Sequence, residues 1–210
     1  MMPRQIAIPT IIDAILDGFI EAQRSYEKWS GGFWLWQAPE YFITSTVAKC
    51  ISELDGAKYI TLENGSTTAL VDAGAKGKGR LPGDIREKGK VDILLWWGKN
   101  TPRAIIELKN QIYSTGQYEK DIKRIGKFLK INSHKSSIQF GVFAFYESAT
   151  TGCFKTATEK VNDRIKNVLK KCKFFLGSDY IATLHVTELC EELENNAWKA
   201  ACILIKHKNT

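Results

Sequence analysis

Apolar residues recur at helical spacing from Pro9 onward, where Ile11, Ile12, Ile15, Leu16, Phe19 and Ile20 share one face and predict an amphipathic helix over about 9–29. Gly31 and Gly32 end it. A second stripe of Phe42, Ile43, Val47, Ile51 and Leu54 predicts a helix from near Pro39 to about Asp55-Gly56, with Glu40 in its first turn. Lys58 to Glu63 and Thr67 to Val71 read as a hairpin around Asn64-Gly65. Asp72 to Lys90 is rich in glycine and charge and reads as a loop that orders on binding.

Two apolar runs follow, Val91 to Trp97 and Arg103 to Lys109, with Gly98 to Thr101 as the turn between them. A helix is predicted over about 115–129 with Ile122, Ile125, Phe128 and Leu129 inward and lysines outward. Ile138 to Tyr146 is almost continuously apolar, as expected of a central strand covered on both faces. A basic helix over about 156–171 and a strand over about 180–187 come next, and Trp198 to Ile205 reads as a last strand or a short helix. No repeat, low-complexity tract or linker interrupts the pattern. One domain over 1–210 is expected, with an N-terminal helix at about 9–29, a core at about 39–146, and a C-terminal helix and strands at about 155–206.

The charges inside the paired apolar runs break the pattern. Asp92 lies within the first, and Glu107 and Lys109 share one face of the second while Ile106 and Leu108 take the other. With the turn centred between Lys99 and Asn100, positions summing to 199 face each other, so Asp92 lies directly across from Glu107. Two carboxylates that close repel, and they are tolerated if a cation sits between them or one keeps its proton.

Asp92 and Glu107 offer hard oxygen ligands for Mg²⁺ or Mn²⁺, with the Leu108 carbonyl as a further ligand. Beside them Lys109 can orient or deprotonate a water and neutralise charge growing on a phosphate. The plainer alternative is a surface ion pair from Glu107 to Lys109 or Lys90, with Asp92 at a solvated strand edge.

Val91-Asp92, a spacer and Glu107-Leu108-Lys109 resemble the motif of the PD-(D/E)XK nuclease superfamily. The element order from roughly Pro39 to Tyr146 resembles the family core, and Asp121 and Arg124 fall on the helix that follows the motif. Val91 stands where the named motif has proline. The resemblance implies an α/β fold with a restriction-endonuclease-like core, a mixed central β-sheet flanked by helices. It implies a metal-dependent endonuclease acting on DNA in restriction or defence-like settings, with Mg²⁺ or Mn²⁺ as cofactor and a possible homodimer. It also implies a further acid from the helix before the sheet, for which Glu40 is the best match ahead of Glu53 and Glu21. The alternative is a non-catalytic nucleic-acid-binding or partner-binding module on the same fold.

Composition adjusts this reading at the margins. The net charge of +7 over 210 residues favours a polyanionic partner, with Lys76, Lys78, Arg80, Arg86 and Lys88 as candidate phosphate contacts and a solvated loop as the plainer account. Gly79 is followed by Arg80-Leu81, so no P-loop forms and no nucleotide cofactor is expected. Trp34, Trp36, Trp96 and Trp97 could stack on bases of single strands, although such residues more often fill cores. Five cysteines without Cys-x-x-Cys spacing read as reduced core residues, and His134, His185 and His207 match no zinc pattern. No signal peptide or membrane span is evident, so a soluble, cytoplasmic protein is expected.

Overall fold

The computed structural model describes residues 5–56, 58–74, 89–98, 101–130, 136–192 and 195–208. Helix α1 (Ile8–Ser30) starts with a proline in its first turn and stops at Gly31, whose φ of 76° is the left-handed conformation that favours glycine. It packs on α2 (Glu40–Ser52) through Ile11, Ile15 and Phe19 against Ile43 and Val47. The helices approach closely at Gly18, where an added Cβ would lie 2.7 Å from the Val47 Cα.

Strand β1 (Lys58–Gly65) runs through Asn64 without turning, and the residues after it form helix α3 (Ser66–Asp72). The expected hairpin around Asn64-Gly65 is therefore absent. Ser66, Ala69 and Leu70 fall at i, i+3 and i+4 and are all buried, a helical face that a short apolar run does not separate from a strand. The partner of β1 is instead β2 (Lys90–Trp97), antiparallel, with Ile60 opposite Leu95 and Asn64 opposite Val91.

Strand β3 (Pro102–Lys109) returns antiparallel to β2, with Ile93 opposite Ile106, Leu94 opposite Ile105 and Leu95 opposite Ala104. The pairing shifts at the turn end, where Trp96 faces Pro102 and the Trp97 N–H bonds to the Thr101 carbonyl. Arg103 is thus an extra residue on β3. The register at the acidic end is the expected one, although the count is reached through a bulge at Arg103.

After α4 (Glu119–Lys130), β4 (Phe140–Thr150) pairs parallel to β3 and antiparallel to β7 (Asn196–His207). It is buried along its length up to Ala149, as a central strand covered on both faces must be. Helix α5 (Ala157–Leu176) is capped by Thr156 and Glu159 in a reciprocal capping box. Strands β5 (Tyr180–Val186) and β6 (Cys190–Glu192) both pair with β7, and the last segment is a strand rather than a short helix.

The result is an α/β fold with a mixed sheet in the order β1-β2-β3-β4-β7-β5, flanked by helices. Helices α1 and α2 cover the face bearing Leu95, Ile106, Leu108 and Val142, and α4 and α5 cover the face bearing Leu94, Ile105, Phe143 and Phe145. No described helix is long and apolar enough to cross a membrane. No disulfide joins the five cysteines, and only Cys172 and Cys202 are buried; Cys50 is half-buried, and Cys153 and Cys190 are exposed.

Candidate functional site

Alternation along β2 and β3 directs Asp92, Glu107 and Lys109 to the face covered by α4, because Ile93, Ile106 and Leu108 occupy the other. The Leu108 peptide ties the strands together at this point. Its N–H donates to Asp92 Oδ2 at 2.7 Å and its carbonyl accepts from Lys109 Nζ at 3.0 Å.

Helix α4 brings Asp121 and Arg124, one turn apart, over these residues. Arg124 Nε donates to Glu107 Oε1 at 2.7 Å, and its Nη2 donates to Asp121 Oδ1 at 2.7 Å. Lys109 Nζ lies 3.4 Å from Asp121 Oδ2 and 3.0 Å from Glu40 Oε1. Glu40, in the first turn of α2, also accepts from the Asn110 N–H at 3.1 Å. Four carboxylates thus surround two cations, leaving a net charge of −2 when all are ionised.

Burial dominates the electrostatics. It pushes the fully buried Glu107 carboxyl up to about 8 despite the Arg124 hydrogen bond and charge, and the neighbouring Asp92 charge adds to the rise. Burial also raises Asp92, against the Leu108 N–H and Lys109, which favour its ionised form. For Lys109 burial works the other way and is outweighed by Asp121 and Glu40, which hold the ammonium above its ordinary value. Lys109 is therefore a fixed positive charge. One condition for tolerating the facing acids is met by the tendency of Glu107 to keep its proton; its cation partner Arg124 bridges to Asp121 rather than to Asp92.

Glu107 Oε2 is buried with no hydrogen-bond partner, an atom that normally costs stability unless a ligand or ion completes it. Among the described residues no three His, Cys, Asp or Glu side chains gather as an ion-holding group, and Arg124 and Lys109 make ion pairs with the carboxylates. The chemistry of the donors suits a divalent cation: hard carboxylate oxygens, one of them orphaned, whose binding would displace the proton that burial favours on Glu107.

The structure brings together Asp92, Glu107, Leu108, Lys109 and Glu40. It leaves out Glu21 and Glu53, which flank Lys49 at 2.7 Å and 3.7 Å on the outer side of the α1–α2 pair. Neither Lys109 nor Lys90 is the partner of Glu107, since Lys90 pairs with Glu63 at 3.4 Å. Lys76, Lys78, Arg80, Arg86 and Lys88 lie outside the described residues, as does His134. Trp96 is a core residue that stacks on Tyr59, and the Arg103 guanidinium lies 4.3 Å from the Trp97 ring centroid, so neither indole is an open stacking surface. Trp36 is 44 % exposed.

Sequence reasoning passed over Asn110, Gln111 and Glu147. Asn110 Nδ2 donates to the Leu35 and Ala38 carbonyls at 2.9 and 2.8 Å, which docks the turn before α2 against the end of β3. Gln111 exchanges hydrogen bonds with the Ser148 backbone, donating to its carbonyl and accepting from its N–H, both at 2.9 Å. Glu147 is completely buried, accepts from the Ile112 N–H at 3.3 Å and faces Arg164 at 3.7 Å. A charge closing the apolar run at Tyr146 is the same signal that singled out Asp92 and Glu107. Comparisons with protein-family models, with curated proteins and with solved structures return no match for this chain.

Proposed function

We propose that the protein is a metal-dependent nuclease acting on DNA, built on a restriction-endonuclease-like core. The observation that carries this reading is the buried, unpartnered Glu107 Oε2, set beside Asp92 and Lys109. The order of Asp strand, Glu-x-Lys strand, helix and parallel strand adds support, as does the contact of Glu40 with Lys109.

Asp92, Glu107 and the Leu108 carbonyl would hold Mg²⁺ or Mn²⁺, with Glu40 next to them. When bound, the ion supplies Lewis-acid stabilisation of charge on the scissile phosphate and makes a water more acidic. The remaining work falls to the side chains. Asp121 and Glu40 favour the ammonium form of Lys109, which suits it to orient the phosphate and oppose negative charge in the transition state. Glu40 and Asp121 fix that ammonium from two sides, and the Leu108 N–H fixes the Asp92 carboxylate. Arg124 holds one oxygen of Glu107 and leaves the other for a ligand.

Cleavage of plasmid and oligonucleotide DNA with Mg²⁺ or Mn²⁺ tests the proposal. Asp92→Asn is expected to lower the rate by about 100-fold or more, the scale of losing one preorganised charge-stabilising group. Equal cleavage by variant and wild type sinks it. A second reading, a binding module without cleavage, draws on the ion pairs that Arg124 and Lys109 already make with the acids. Salt-sensitive DNA binding with no cleavage in either metal selects that reading.

A further inference from the structure

Helices α4 and α5 form one layer on the sheet. The Tyr180 hydroxyl, just beyond α5, donates to the Gly126 carbonyl of α4 at 2.7 Å, and Leu176 packs against Gly126 so closely that an added Cβ would lie 3.1 Å from its Cδ2. The inward faces supply core residues, together with Asp121 and Arg124 of the candidate site. The outward faces are basic. These two helices hold eleven Lys and Arg against four Asp and Glu, an excess of +7 that equals the net charge of the whole chain. The rest of the chain is therefore neutral overall. The α1–α2 layer across the sheet holds three basic residues against five acids, so charge is separated between the two sides.

Lys120 and Lys123 of α4 and Lys166, Lys170, Lys171 and Lys173 of α5 are all exposed. Lys123 pairs with Glu119, whereas the other five have no carboxylate within ion-pair distance among the described residues. Lys166 and Lys170, and Lys170 and Lys173, stand one helical turn apart, where like charges weaken a helix. Alternating signs would solvate this face equally well and support the helix, so the bare excess points to an external polyanion. We propose that the α4–α5 face is the surface on which duplex DNA lies, its lysines neutralising backbone phosphates without reading sequence. The inference rests on the nuclease reading for its choice of DNA. The helix that turns Lys120 and Lys123 outward also holds Arg124 against Glu107 and Asp121 against Lys109, so a backbone bound here runs beside the candidate site. Phe174 is the only large apolar side chain exposed on the two helices, which is too little ring surface to stack unpaired bases and too little apolar surface to enter lipid.

Fluorescence anisotropy with a fluorescein-labelled blunt duplex in EDTA, where cleavage does not intrude, tests this over a salt series. The variant combining Lys170→Gln, Lys171→Gln and Lys173→Gln is expected to weaken binding by about tenfold or more. It should also lower the slope of log affinity against log salt by about two to three, near one per lost phosphate contact. Combining Lys120→Gln with Lys166→Gln on the same face should lower the slope by about one to two. Combining Arg24→Gln, Lys28→Gln and Lys49→Gln removes as much charge from the opposite layer and is expected to stay within about twofold of the wild type. Matching melting temperatures show that the variants fold. Unchanged affinity and slope in the α4 and α5 variants, or an equal loss in the α1–α2 variant, overturns the proposal. Wild-type binding to phosphatidylserine vesicles with none to the duplex also overturns it, as does tighter binding of a single strand with the same number of phosphates. Weaker duplex binding by the α5 variant with no cleavage by the wild type in either metal overturns the nuclease reading and not the surface. Cleavage that is lost on Asp92→Asn, beside unchanged binding by the α5 variant, overturns the surface and not the nuclease reading.

Discussion

Arg124 Nε stands 2.7 Å from Glu107 Oε1, while the other oxygen of that carboxylate is buried without a partner. One guanidinium therefore supports half of a carboxylate that is shielded from water, and it bridges at 2.7 Å to Asp121 on its own helix.

Arg124→Met leaves Glu107 buried without its cation. Breaking such a pair from one side typically costs about 3–5 kcal/mol when a charge is left behind, and the proton Glu107 tends to keep makes the loss in urea unfolding smaller near neutral pH and larger as pH rises. The double variant Arg124→Met, Glu107→Leu is expected to recover most of it. A double variant no more stable than the single one would mean that Arg124 matters through packing rather than through Glu107.

Burial pushes the Glu147 carboxyl up to about 7, with Arg164 and the Ile112 N–H opposing the rise. The folded state then keeps a proton that the unfolded state releases above about 4.5, so this residue's contribution to stability falls as pH rises from about 4.5 to about 7 and is level beyond. Glu147→Gln removes the slope. Unfolding free energies across this window, wild type minus variant, should decline with pH; a flat difference contradicts the burial account.

Lys109→Met removes a positive charge from among Glu40, Asp92 and Asp121. Cleavage should fall by about 100-fold or more, while Mn²⁺ binding followed by calorimetry should tighten because repulsion of the ion is relieved. Weaker Mn²⁺ binding would instead make the lysine part of the support for the ion site.

Gly18→Ala places a Cβ 2.7 Å from the Val47 Cα, a backbone atom that cannot rotate away. Overpacking of this kind costs about 1–3 kcal/mol and separates α1 from α2, the helix that carries Glu40. A lower melting temperature and a lower cleavage rate are expected together. Loss of stability with full activity would show that Glu40 does not depend on this packing.

Helices α1, α2, α4 and α5 and the buried run of β4 were legible because amphipathic period and length agree over many residues. The Thr67–Val71 segment was not, since five residues with three consecutive apolar positions fit either period, and burial of Ser66, Ala69 and Leu70 decided for helix. The expected Asp92–Glu107 register agrees with the pairing of Ile93 with Ile106, yet Trp96 faces Pro102, one residue off the expected count, and the extra Arg103 restores it. The position of Glu40 was anticipated through a resemblance, but its bond to Lys109 spans 69 residues and has no local signature.

The sequence by itself determined which segments are regular, which faces are apolar, and that Asp92, Glu107 and Lys109 share one side of adjacent strands, because these follow from side-chain periods of 3.6 and 2 within short stretches. Only the tertiary structure decided what meets those charges. Arg124 reaches Glu107, Asn110 pins the Trp36 turn and Gln111 holds Ser148 through the placement of whole elements, which hydrophobic packing sets without regard to distance along the chain.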